Sequence, residues 1–255
     1  MPKISRTVEN TRVSSDFLSD EQFEDLRTKL NSVKDQKILV TTSKRAGRST
    51  ITFGTELSSL FPGGTFVTRG SLDSVFSICE DAVKEGYSHL IVIGEYEKLP
   101  QFLVCIVLEH QLCFQFKISS VRHGSQIKNH GRSSDYSPEL ILNNLDTKLG
   151  KIVGSLFISL FPCPEFKGRQ VVTVHNQRDF LFFRRHRYIF DEKEKRGCRI
   201  QEIGPSFTLK LKRVTAHGYD PKGHDYIFDI SDIKELKKIS SKKSSSSTNN
   251  KVHYL

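Results

Sequence analysis

Apolar positions follow two periods along the chain, and the switches between them divide it into elements. In SDEQFEDLRTKL, residues 19–30, Phe23, Leu26 and Leu30 stand at helical spacing behind Ser19 and Asp20, with acids in the first turn. KILVTTS, 37–43, is an unbroken β-branched run and reads as a buried strand. The basic loop KRAGR leads to a helix whose Phe53, Leu57, Leu60 and Phe61 form one stripe. GGTFVTRG reads as a turn and short strand, and SLDSVFSICEDAVKEGY as a helix capped near Ser71. HLIVIGE is a second buried strand, and FLVCIVLE with LCFQFKIS makes a hairpin. Strand–helix–strand–helix–strand followed by antiparallel strands implies an α/β sandwich, helices over a mixed sheet.

The second half repeats the theme. TKLGKIVGSLFISLFP is a helix with Leu149, Ile152, Val153, Leu156 and Leu160 inward, followed by the strand RQVVTVH and a turn at NQRD. In PSFTLKLKRV, Phe207, Leu209 and Leu211 alternate with Lys210 and Lys212, the pattern of a half-buried strand with a basic outer face. LSSLFP at 57–62 and FISLFP at 157–162 each end an amphipathic helix, an echo that suggests two similar α/β halves side by side. RDFLFFRRHRYIF, 178–190, fits neither period. Both of its alternating faces are apolar at 180–183 and basic at 184–187. It is expected to be a strand buried on both faces at its start that reaches the rim by Arg184.

Charge changes this picture. The net charge is +10 over 255 residues, unevenly spread. Residues 167–213 hold 13 Lys/Arg against 5 Asp/Glu, and 234–255 hold 6 against 1. The remaining segments, 1–36, 37–166 and 214–233, come to −1, +1 and −3. An excess confined to one half-domain and a tail is the footprint of a polyanion binder. The tail, KKISSKKSSSSTNNKVHYL, is low-complexity and is expected to bury little. No apolar run approaches the roughly 18 residues of a membrane span, and MPKISRTVEN lacks a signal-peptide core, which predicts an intracellular protein. The five cysteines, Cys79, Cys105, Cys113, Cys163 and Cys198, form no C-x-x-C pair and read as small buried hydrophobes in a reducing compartment.

Three features could carry chemistry. VTTSKRAGRST places Lys44, Arg45 and Arg48 at a helix start, but Thr42 and Arg48 occupy the positions where a phosphate-binding P-loop needs Gly and Lys. What survives is a helix N-terminus with added positive charge, suited to a nucleic-acid phosphate. The histidines His123, His130, His175 and His186 show no zinc spacing, and no nucleophile elbow or paired carboxylates appear. Neither a metal, a cofactor nor catalysis is expected. The third feature is the 178–190 strand, where Arg178, Arg184, Arg185, His186, Arg187 and Tyr188, joined by Lys210, Lys212 and Arg213, can pair phosphates or stack on unpaired bases.

GRQVVTVHNQRDFLFFRRHRYIF and IQEIGPSFTLKLKRV resemble the signature of the Brix domain superfamily of ribosome-assembly factors. KILVTTSKRAGRST, HLIVIGE, FKISSVR, PELILNNLDTKLGKIVGSLFISLFP and the final KVHYL resemble the member of that family that acts on the large-subunit precursor. The resemblance spans about 36–215. It implies two anticodon-binding-like α/β halves, at 37–130 and 131–230, between a short extension (1–36) and the basic tail (231–255). It also implies a nucleolar, non-catalytic factor that binds precursor ribosomal RNA in the pre-60S particle, beside a small zinc-binding assembly factor. The family usually carries a longer, basic N-terminal extension, so contacts of that extension do not transfer. The alternatives are a Brix factor of the small-subunit or 5S RNA pathway and, remotely, an RNA-processing enzyme.

Overall fold

The computed structural model describes residues 18–33, 36–71, 73–161, 166–190, 197–216 and 226–230. The tail, most of the N-terminal extension and Cys163 lie outside them. The chain runs α1 (Asp20–Ser32), β1 (Ile38–Thr42), α2 (Arg48–Ser58), β2 (Thr65–Val67), α3 (Val75–Lys84), β3 (His89–Tyr96), β4 (Leu99–Val107), β5 (Leu112–Arg122), β6 (Glu139–Asn143), α4 (Lys148–Leu160), β7 (Gln170–Gln177), β8 (Phe180–Phe190), β9 (Cys198–Glu202), β10 (Ser206–Thr215) and β11 (Tyr226–Asp229).

The helices begin where their capping side chains dictate. Ser19 caps α1 in a reciprocal capping box with Gln22. Thr147 caps α4 by accepting from the Gly150 amide. The cap of α3 is Ser74, not a residue near Ser71: the Ser74 hydroxyl accepts from Ser77 N at 3.0 Å, which fixes the first turn there. Leu26 and Leu30 of α1 join the main core, so this helix of the extension is a packed part of the fold. Its start is tied to α4 by Lys148, whose Nζ lies 2.7 Å from Asp20 and donates to the Leu18 carbonyl.

The eleven strands of the described residues form one mixed sheet in the order β2-β1-β3-β4-β5-β10-β8-β7-β6, with β11 on β10 and β9 on β8. Read inward from β1 or from β6, the pairings take the same sense. β1–β3 and β6–β7 are parallel, β3–β4 and β7–β8 antiparallel, β4–β5 and β8–β10 antiparallel. The two runs join where β5 meets β10. The β3–β4 and β7–β8 steps are each made by a two-residue turn with both φ values positive, Glu97-Lys98 and Arg178-Asp179, the geometry that matches strand twist. The echoed segments also meet: the rings of Phe61 and Phe161 lie 5.2 Å apart.

One sheet face packs against α1, α2 and α4 around Phe53, Phe114, Phe183 and Phe207. Phe183 stacks on Phe207 at 4.4 Å, and Phe53 meets Phe207 edge-on at 5.2 Å. On the opposite, outer face, α3 covers Leu39, Leu90, Val92 and Ile106. Three strands carried no clear pattern in the sequence, β6, β9 and β11. Their exposed or mixed positions blur the period on which strand reading rests.

β8 corrects an expectation. It is not buried on both faces at its start. Leu181, Phe183 and Arg185 are buried, while Phe180, Phe182, Arg184 and His186 are exposed or half-buried. The strand keeps one period from Phe180 to His186, because the described helices cover only one of its faces.

Candidate nucleic-acid interface

The outer face of β5, β10, β8 and β7 is the part of the sheet that α3 does not reach. Register defines it. Lys210 of β10 stands directly across from Lys117 of β5, and Thr208 across from Phe182 of β8. Phe182 is in turn opposite His175, Arg184 opposite Thr173, and His186 opposite Val171, all on β7. Phe102, 47% exposed, flanks Lys117 from β4. Cations and rings alternate here: Lys210 Nζ lies 4.4 Å above the Phe180 ring, and the Arg184 guanidinium 5.8 Å from Phe182.

At one end of this face Arg122, Arg184 and His186 gather around Glu202. Arg122 donates to Glu202 at 3.4 Å, and His186 is its cross-strand partner. Arg184 Nη1 donates to the Phe183 and Phe207 carbonyls at 2.7 and 3.0 Å, which holds its side chain against the strand. Partial burial lowers the pKa of both Arg184 and His186, with Glu202 acting against the shift in each case.

Several expected contacts are engaged elsewhere. Arg185 does not reach the rim: it is 3% exposed, points to the helix side and donates through Nε and Nη2 to Gln170 Oε1 at 3.0 and 2.6 Å. Burial brings its pKa down to about 10. Arg213 is held by Asp229 of β11 through Nε and Nη2, both at 2.7 Å, and packs over Tyr226. The Tyr188 hydroxyl donates to Glu139, which raises its pKa. Arg187 is half-buried with Nε enclosed and unbonded among the described residues, and Lys212 is half-buried. Arg178 is exposed at the β7–β8 turn.

Lys44, Arg45 and Arg48 are exposed before and at the start of α2, as expected. The helix terminus itself is already served. Glu95 of β3 accepts from the Gly47 amide at 2.8 Å and from the Thr50 hydroxyl at 2.7 Å. A carboxylate thus sits where a phosphate was expected, and it favours the positive end of the helix in the same way. Sequence reasoning missed Lys117, Arg122 and Phe102. The alternation Gln115, Lys117, Ser119 against Phe114, Phe116, Ile118 was the available signal for Lys117.

Of the cysteines, Cys105 and Cys113 are buried, Cys79 is half-buried and Cys198 is exposed on β9, contrary to the expectation for that residue. Burial pushes the Cys79 and Cys113 thiols up to about 11.

The Brix domain model matches residues 43–213. A Brix domain-containing protein of Schizosaccharomyces pombe is 40% identical over 242 residues, covering 89% of this chain and 79% of its own. Ribosome production factor 1 of Saccharomyces cerevisiae is 41% identical over 217 residues, covering 83% and 73%. The crystal structure of a probable ribosomal biogenesis protein from Aeropyrum pernix has a similar fold, with a TM-score of 0.52 at 19% identity over 69% of this chain and 96% of that one. With a family model matched over more than half its length and relatives this similar across most of it, the chain belongs to the Brix domain family.

Proposed function

We propose that this protein is a ribosome-biogenesis factor that acts without catalysis, binding precursor ribosomal RNA of the large subunit and holding it for folding and processing. In this reading it works in the nucleolus, within the pre-60S particle, beside other assembly factors that include a small zinc-binding one. Relatives named ribosome production factor 1 support the biogenesis role. The observation that carries the RNA reading is the facing pair Lys117 and Lys210 on a ring-studded sheet face that no helix covers among the described residues. Like charges directly across two strands destabilise a sheet. A polyanion laid over them reverses that cost, and rings between the cations offer surfaces for unpaired bases.

Lys117→Glu tests this, because stability and binding should move in opposite directions. The new Glu would face Lys210 as an opposite charge, so the thermal midpoint should hold or rise slightly, by the equivalent of about 0.2–1 kcal/mol. Affinity for a large-subunit precursor RNA fragment should fall about tenfold, which corresponds to roughly 1.4 kcal/mol. Unchanged affinity in the folded variant would remove this face from the interface.

A further inference from the structure

Arg185 is buried, and among the described residues it meets no carboxylate within bonding distance. Its only side-chain partner there is the neutral Gln170 amide oxygen. Gln170 is itself fixed by Ser134, whose carbonyl accepts from Nε2 at 2.9 Å. The guanidinium is therefore held in one orientation while its Nη1 has no acceptor among those residues. That nitrogen is not among the fully enclosed unbonded atoms, so water, or an acceptor that displaces it, can reach it.

Arg185 lines an open polar cavity of about 350 Å³. Glu56 of α2 lies on the cavity wall, one oxygen accepting from Gly124 N at 3.0 Å and the other 3.1 Å from His123 Nδ1. Each carboxylate oxygen keeps a second lone pair. Ile203 and Pro205 give the cavity an apolar wall, and Arg132 stands exposed at its margin.

This combination selects a ligand chemistry. A phosphate would suit Arg185 but meet Glu56. A flat neutral group with acceptors on one edge and donors on the next satisfies both. Guanine is such a group: O6 and N7 accept from a guanidinium, and N1–H with the N2 amine donates to a carboxylate. The volume lies at the small end of ligand pockets, enough for one nucleoside.

We propose that this cavity takes the guanine of one unpaired nucleotide of the bound RNA, with Arg185 on the O6/N7 edge, Glu56 on the N1/N2 edge and Arg132 beside the phosphate at the mouth. The proposal rests on the RNA-binding reading above and adds a base-reading site on the opposite side of the sheet from Lys117 and Lys210. Arg185 then reads a base edge rather than neutralising the backbone. An unpaired nucleotide enters at least cost, because no pair has to be broken.

The test uses the full ¹⁵N-labelled chain and follows the Arg185 Nε–H signal by NMR during titration with GMP, AMP, CMP and inorganic phosphate at matched ionic strength. GMP should move the signal saturably, AMP and CMP about tenfold more weakly, and phosphate not at all. Glu56→Gln keeps an acceptor for Gly124 N but loses the carboxylate, so it should abolish the preference for GMP, each titration being referred to that variant's own free Arg185 signal. Equal shifts with phosphate, a GMP preference that survives in Glu56→Gln, or no shift with GMP would each overturn the proposal. Precursor RNA binding by the wild-type chain is measured alongside by fluorescence anisotropy. A silent Arg185 signal in protein that still binds RNA sinks the cavity site alone. Failure to bind RNA sinks the RNA reading and this proposal with it.

Discussion

His89 opens β3 with its imidazole fully enclosed, Nε2 3.0 Å from the Ser159 hydroxyl of α4 and Nδ1 3.0 Å from that of Ser88. Burial lowers its pKa to about 4 from an ordinary 6.5. Between those values the unfolded chain binds a proton that the folded protein refuses, so stability falls as pH drops from 6.5 toward 4. The contribution is complete above pH 6.5 and reaches at most about 3 kcal/mol. A thermal midpoint measured across this window should fall for the wild type and flatten in His89→Gln. An equally steep fall in the variant would assign the window to other groups. Arginines show the same dependence on partners that the local sequence does not name. Arg184, Arg185 and Arg187 look alike in a row, but Gln170 captures one and backbone carbonyls another. Arg213, next to Lys212, is claimed by Asp229, sixteen residues on. A residue's type was legible from the sequence, whereas its availability depended on what the fold brought beside it.

At the scale of elements, α2 owes its seat on the sheet to a glycine. A Cβ at Gly54 would lie 2.3 Å from Cε2 of the Phe66 ring of β2. In an exposed helix, Gly→Ala gains roughly 1 kcal/mol from propensity. Here the overpacking, typically about 1–3 kcal/mol, should outweigh it. Gly54→Ala is therefore expected to lower the urea midpoint; a higher midpoint would mean that Phe66 swings aside freely. Helices and central strands were readable because each is long and holds one period: α4, β1 and β3 ended within two residues of expectation, whereas α2 stops at Ser58, before Leu60 and Phe61 of its expected stripe. The cap of α3 moved to Ser74 because several serines compete there and only one meets an amide. β6, β9 and β11 escaped notice because they are short and partly exposed.

For the whole molecule, the expected behaviour is that of a surface whose cations act together. Log affinity for precursor RNA should fall linearly with log salt, by about 0.7–0.9 units per phosphate neutralised. Lys117→Glu combined with Lys210→Glu should reduce that slope by about two units. A slope already flat in the wild type would exclude the electrostatic interface. By itself the sequence determined the α/β class, the order of the principal elements, the concentration of charge in the second half and the likeness to the Brix family, since period, composition and motif are properties of the chain as written. Tertiary structure alone decided which side of β8 faces outward, because that depends on the helices covering only one face of the strand. It alone put Lys117 opposite Lys210, since register joins residues nearly a hundred positions apart. It also turned Arg185 inward to a cavity whose walls come from α2, the 123–133 segment, β8 and the loop before β10, a meeting of distant segments that no local pattern encodes.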